Sequence, residues 1–292
     1  MNIISELNYD DFSLLAVAIG SFIFGFGAVI ANGCMTSSLI KFGDGRIVGI
    51  ISVVTFMITG YICTNGFLAN LTERIGEISL VEDNLNSKFP FSPLYICIPI
   101  LILIYFYLYN NYKKFKPKYT LPRRSSGLRY IFFEKIWSLE FTSILIGILM
   151  GAAYLVSEHS CSRTGGIAIS SPLMSWVYAL TSSEPLVSGG WNTFDQSFGW
   201  GSLEVLGIVL GSFITTFFSK EFRIVKTNLK NVIMTIIGSV LMGIGATWGQ
   251  GCIIGNGLVG TAQLSLKAWY ATIFLVLGVW VSSRVFLLKN YK

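Results

Sequence analysis

Charge is what this sequence has least of. Asp, Glu, Lys and Arg together make up 12% of its 292 residues, about half of the roughly 25% that a water-facing globular chain carries. The shortage excludes an ordinary soluble enzyme, a disordered protein and a nucleic-acid binder. Histidine occurs once, at His159, which excludes a multi-histidine metal site. The five cysteines, Cys34, Cys63, Cys97, Cys161 and Cys252, are odd in number, widely spaced and without a CxxC pair. Neither a disulfide framework nor a zinc site is expected from them, and no cofactor is expected. A basic leader is missing as well. The first twelve residues, MNIISELNYDDF, carry acids where a secretory signal needs a positive start, so no cleavable signal peptide is expected.

What the sequence has in abundance is apolar length. Hydrophobic residues reach 53%, glycines number 30, and the mean hydropathy is +0.65. Apolar runs near 13–31, 47–70, 92–110, 139–157, 203–219, 231–249 and 268–288 each match the span of about 20 residues that a bilayer requires. A shorter run, Ile167 to Leu180, is interrupted by Pro172 and is expected to form a re-entrant or half helix. The fold class is therefore an all-α polytopic membrane protein, a single transmembrane domain over 1–292.

The few charges set the expected direction. The loop 111–138 holds Lys113, Lys114, Lys116, Lys118, Arg123, Arg124, Arg129 and Lys135 against one acid, Glu134, and is expected to be cytoplasmic. Lys220, Arg223, Lys226 and Lys230 form a second basic loop, and Lys289 and Lys292 close the chain. Acidic segments alternate with these: Glu6, Asp10 and Asp11; Glu73, Glu77, Glu82 and Asp83; Glu184 and Asp195. Seven crossings, with the N-terminus outside and the C-terminus cytoplasmic, satisfy every basic loop. Acids are nearly absent from the spans, Glu140 and Glu204 near their starts excepted, so no carboxylate proton relay is evident.

The chain also repeats itself. The pattern G-x-G-A-x4-G-C runs from Gly25 to Cys34 and again from Gly243 to Cys252, at an offset of 218 residues. The flanking spans carry the same offset, giving copies over 13–70 and 231–288, each a helix, a glycine–cysteine turn, a short segment and a helix. In the expected topology the copies run in opposite directions. Inverted repeats place a solute site at their interface, where helices break around a central pore. The glycine-rich turns Gly43-Asp44-Gly45 and Gly255-Asn256-Gly257 are expected to expose backbone there. A partial third copy, Leu149-Met150-Gly151 before Cys161, matches less well.

Glycines alone would be explained by close helix packing. A cysteine recurring beside each glycine is not, because packing requires a small residue and not sulfur. Gly33, Cys34, Gly251 and Cys252 are therefore candidate translocation residues, with Asn256 and, at an outer polar mouth, Cys161 and Arg163 beside them. A thiol is a weak donor and a polarizable acceptor, suited to passing on a soft, sulfur-bearing solute. Backbone N–H groups at half-helix N-termini would hold its charge. Copper(I) is a weaker candidate, with Met35 and Met242 nearby but no Met-x-x-Met or Cys-x-Cys pattern. A Cys161–His159 nucleophile pair lacks an orienting third group. The run Gly255 to Gly260 matches GxGxxG but has no βαβ context. Cys63 and Cys97 read as apolar filler, Gly147/Gly151 and Gly207/Gly211 as helix-packing pairs, and Trp191 and Trp200 as an interface belt.

These motifs resemble the YeeE/YedE family of bacterial membrane proteins. The resembling residues are Phe24-Gly25-Phe26-Gly27 with Gly33-Cys34, and Leu241 to Ala246 with Gly251-Cys252-Ile253-Ile254-Gly255-Asn256-Gly257-Leu258, extended by Gly260 and Ala262-Gln263-Leu264-Ser265. The resemblance covers most of the chain. It implies a bacterial inner-membrane transporter, not an enzyme, that takes up thiosulfate or a related sulfur anion past Cys161, Cys252 and Cys34. A cytoplasmic sulfur-carrier or sulfurtransferase protein is a candidate partner. The alternative is a membrane component of sulfur or selenium metabolism that carries persulfide or redox equivalents on its thiols. One span precedes the first glycine–cysteine motif, fewer than family members usually have. A shortened member, or a native start further upstream, is the expectation.

Overall fold

The computed structural model describes residues 12–78, 80–81, 106, 110, 139–161, 167–181, 200–225, 227–263 and 265–286, with backbone alone at 80–81, 139–140, 158–161, 178–180 and 200. The described chain is almost wholly helical. A two-residue strand β1 (Phe12–Ser13) leads into α1 (Leu14–Ile30), α2 (Met35–Gly43), α3 (Ile47–Asn65) and the short α4 (Ala69–Glu77). Strand β2 (Leu80–Val81) pairs antiparallel with β1, Phe12 opposite Val81. Then come α5 (Leu139–Cys161), α6 (Ser170–Thr181), α7 (Trp200–Phe218), α8 (Leu229–Trp248), a π-helical turn Gly255–Gly260, and α9 (Leu266–Phe286).

Among the described residues five stretches are long and apolar enough to cross a bilayer: Leu14–Gly43, Ile47–Asn65, Gly201–Phe218, Leu229–Trp248 and Leu266–Phe286. They match five of the seven expected spans, and 139–157 falls within α5, whose apolar part Phe141–Ser157 is shorter. The span expected at 92–110 lies outside the described residues except for two helical positions, Phe106 and Asn110. The loop 111–138, Cys97 and Trp191 also lie outside them. Large apolar side chains such as Phe217, Leu229 and Ile273 face outward, as a lipid-facing surface requires.

Contacts divide the chain into two units. One comprises Met1–Asn84 with Ala153–Lys292, and the other is Leu85–Ala152, whose described part is Phe106, Asn110 and the first two-thirds of α5.

In the larger unit α1 and α8 lie against each other, running in opposite directions. Gly20 rests on the backbone of Trp248 and Gly249. A Cβ on Gly27 would stand 2.7 Å from the Gly238 carbonyl oxygen and 3.0 Å from the Met242 nitrogen. Gly238 meets Ala31 in the same way, its Cβ position 2.5 Å from the Ala31 nitrogen, and Gly245 meets Phe24 at 2.5 Å. Adding or subtracting 218 turns the first pair into the third, Gly20–Gly249 into Gly238–Ala31. The same shift turns Gly27–Met242 into Gly245–Phe24. Every close approach on this face is thus made twice. In lipid, helices gain nothing from hiding apolar surface from water, so backbone approach over small residues and interhelical hydrogen bonds hold them together.

The outer helices follow the same rule. α9 runs beside α1, with Gly278 on Phe22, Gly25 on Leu275, and Ser282 Oγ donating to the Phe26 carbonyl at 3.1 Å. α3 runs beside α8, with Gly243 on Thr59 and Phe56, and Ser52 Oγ bonded to Ser239 Oγ at 2.8 Å. Ser52 also bonds Ser38 of α2 at 2.9 Å, so three buried hydroxyls tie α2, α3 and α8 together.

Three expectations need correction. Gly207 and Gly211 do not pack a helix of the described chain: a Cβ on either would meet open space, because that face of α7 points away from its neighbours. Pro172 does not interrupt its segment but sits in the first turn of α6, where a missing N–H breaks no helical bond. Gly255-Asn256-Gly257 is not an open turn. It begins the π-helical turn, in a helical stretch over 253–262.

Candidate functional site: two glycine–cysteine breaks

The chain leaves α1 through Ala31-Asn32-Gly33 and enters α2 after Cys34. α2 packs antiparallel on α3, and Leu14–Gly43 forms one apolar stretch long enough to span, with a break in its middle. The break is made by two left-handed residues, Asn32 at φ 59° and Gly33 at φ 146°. The second copy breaks identically, with Gln250 at φ 49° and Gly251 at φ 150°. A side chain at the glycine φ values would be strained, which explains why both positions are glycine. Asn tolerates the left-handed region better than most residues.

Hydrogen bonds repeat as well. Gly33 N donates to Ala28 O at 2.8 Å, and Gly251 N to Ala246 O at 2.9 Å. Ser38 N donates to Cys34 O at 3.1 Å, and Asn256 N to Cys252 O at 2.9 Å. Both cysteines therefore hold the N-cap position of the helix that follows. Cys34 has extended backbone (φ −75°, ψ 177°), and its side chain caps nothing. The N–H groups of the next helical turn have no intrahelical partner by construction and carry the positive end of the helix dipole.

The two sites differ in access. Cys34 is half-buried, whereas Cys252 is 1% exposed and packs in the main core with Met35, Phe24, Met242 and Leu173. Both are free thiols, as is the buried Cys63. Asn256 is buried and folds back over the second break, its Nδ2 donating to the Gly249 carbonyl at 3.0 Å. Cys161 ends α5 with only its backbone described, and Arg163 lies outside the described residues, so neither is placed against the breaks. Leu173 of α6, and Ile169 just before that helix, reach the same core as Cys252. Glu204, one of the acids noted in the spans, accepts from Ala168 N at 3.0 Å just before α6.

Sequence reasoning passed over one polar residue. Lys41 lies seven positions beyond Cys34, outside the glycine–cysteine motif, yet its Nζ donates to the Asn32 carbonyl at 2.7 Å. The available signal was helical spacing: Ser37 and Lys41 are four apart and share the face of α2 beneath Gly33.

Among the described residues no group of three or more His, Cys, Asp or Glu side chains could hold a metal ion. The arrangement offers thiols, helix N-termini and backbone donors: groups that hold a soft anion loosely. A family model described as "Sulphur transport" matches residues 1–281. The chain is 33% identical over 273 residues, 93% of its length, to a protein of Escherichia coli strain K12 named "Thiosulfate transporter TsuA", covering 74% of that protein. It is 24% identical to the protein of the same name from Spirochaeta thermophila, over 96% of this chain and 80% of that one. It is also 24% identical, over 55% of its length and 42% of the other's, to the "Probable transporter YedE" of Escherichia coli strain K12. A membrane-spanning transporter and not an enzyme, the chain belongs to the sulphur-transport family.

Proposed function

We propose that this chain takes up thiosulfate or a closely related sulfur anion across the bacterial inner membrane, through the breaks in its two discontinuous helices. The observation that carries this reading is the doubled break: the same backbone path, with a free cysteine at the N-cap, at positions 218 residues apart. The names of the relatives support the choice of solute.

The antiparallel contact of α1 with α8 favours copies inverted with respect to each other, and the basic loops favour an N-terminus outside and a C-terminus in the cytoplasm. Each break then lies at membrane depth, where irregular backbone is tolerated only beside a cavity or within protein. Gly33 and Gly251 shape the breaks, Asn256 holds the second one closed, and Arg163 draws the anion to the outer mouth. The solute passes Cys161, then Cys252, then Cys34, to a cytoplasmic sulfur carrier or sulfurtransferase. The contacts are S–H and N–H donations, not covalent bonds. Each is weak, and a conducting site must release the solute as readily as it accepts it. Because Cys252 is buried, passage requires its surroundings to part.

The test is growth on thiosulfate as sole sulfur source, in a bacterium lacking its own sulfate and thiosulfate uptake. The intact protein should restore growth, and Cys34→Ala and Cys252→Ala, at matched membrane expression, should abolish or strongly slow it. Growth indifferent to both cysteines would discard the thiol route, and no growth with well-inserted intact protein would discard the solute.

A further inference from the structure

Lys41 is a charged residue inside a candidate membrane span, Leu14–Gly43. Ammonium groups at membrane depth are rare and mark solute paths by default. Its side chain does not run away from the break to the near membrane surface. Helical side chains lean towards the N-terminus, and Lys41 follows α2 back to the break, its Nζ 2.7 Å from the Asn32 carbonyl oxygen and 3.2 Å from where a Cβ on Gly33 would stand. The neighbouring carboxylate, Asp44, accepts instead from Ser212 Oγ at 2.8 Å and Thr216 Oγ1 at 3.3 Å. One of the ammonium's three donors is used by Asn32, and no carboxylate neutralises it among the described residues.

The second break has no counterpart. The offset of 218 places the buried Val259 where Lys41 stands, and Gly255 where Ser37 stands. Two breaks with the same backbone path therefore differ by one positive charge.

We infer that Lys41 is a substrate-binding residue, holding the charged oxygens of the anion at the inner break while its terminal sulfur meets Cys34. This deepens the proposed function and rests on it. A thiosulfate-like anion has a soft end and a hard end. The first break supplies a polarizable thiol for one and an ammonium for the other, whereas the second supplies a thiol and neutral donors alone. Lys41 thereby makes the first break the stronger and the more selective of the two for an oxyanion.

The experiment is uptake of radiolabelled thiosulfate into proteoliposomes holding the purified protein, with Lys41→Met and Lys41→Arg beside the unsubstituted chain and thermal unfolding of each in detergent. Sulfate, which has the hard end alone, serves as competitor. Lys41→Met should raise KM by about 10- to 100-fold, the range for loss of a charged hydrogen bond, and should lose inhibition by millimolar sulfate. Lys41→Arg should stay within about threefold of the unsubstituted KM, since it keeps the charge and the donors. Unchanged KM and sulfate inhibition in Lys41→Met would overturn the inference. So would equal loss in both variants with a lowered unfolding temperature, which would make Lys41 merely a brace for the Asn32 carbonyl. No uptake by the unsubstituted chain would overturn the functional reading itself and this inference with it. Uptake that fails only in Lys41→Met separates the two.

Discussion

Gly33 and Gly251 hold the same left-handed backbone, φ 146° and 150°, at the mouths of two different helices. Each has something pressed against it. Beneath Gly33 lie Ser37 Oγ and Lys41 Nζ, and over Gly251 lies the Asn256 carboxamide, 3.1 Å from where a Cβ would stand. Replacing either with alanine adds backbone strain and a contact too close. Gly33→Ala and Gly251→Ala should each destabilise by about 1–3 kcal/mol, read as a lower unfolding temperature in detergent. Both should also slow uptake. A variant as stable and as active as the original would show that the left-handed turn is dispensable.

Glycines within helices should divide into two groups. Gly20, Gly27, Gly238 and Gly245 sit where another backbone occupies the space a side chain would need. Gly27→Leu should prevent stable insertion, measured as loss of folded, monodisperse protein. Gly207→Ala and Gly211→Ala face open space and should leave folding intact, or raise stability by about 0.5–1 kcal/mol through better helix propensity. A strong loss at Gly207 or Gly211 would point to a contact that the described chain lacks.

The hydroxyl chain Ser38–Ser52–Ser239 should matter most at its centre. Ser52 bonds both neighbours, at 2.9 and 2.8 Å. Interhelical bonds of this kind contribute about 0.6 kcal/mol each on average, up to about 1.7. Ser52→Ala should therefore lower stability by roughly 1–2 kcal/mol, and Ser38→Ala by about half as much. Equal effects would mean that the chain does not act as a connected unit.

Thiol reactivity should rank by burial. Cys34 is half-buried, while Cys252 and Cys63 are enclosed. In the folded protein a small maleimide should label Cys34 well ahead of the other two, and denaturant should equalise all three. Added thiosulfate should protect Cys34 if the solute dwells there. Labelling of Cys252 ahead of Cys34 would contradict the closed second break.

Much of this arrangement was legible in the chain. Apolar length located four spans to within about five residues, and the first except for its continuation through the break to Gly43, since a bilayer tolerates little else at its centre. The spacing of Gly25, Gly27, Gly33 and Cys34 against Gly243, Gly245, Gly251 and Cys252 gave the paired breaks, and their shared backbone followed. Lys41 was missed because its position in the chain places it two turns away, and only the backward lean of a helical side chain returns it to Asn32. Gly207 and Gly211 misled for the opposite reason. Their spacing permits packing, but spacing does not supply the partner. The pairing of Phe12–Ser13 with Leu80–Val81 is long-range and only two residues deep, too short for any alternation to announce it.

The doubled contact between α1 and α8 has a hereditary consequence. Because the approach of Gly20 to Gly249 recurs as that of Gly238 to Ala31, the face is complementary to its own image. A shorter gene, encoding one copy, would already specify both sides of that seam. Two such products could meet antiparallel without either having to change, and joining them end to end would then leave each copy free to diverge, as Val259 and Lys41 have.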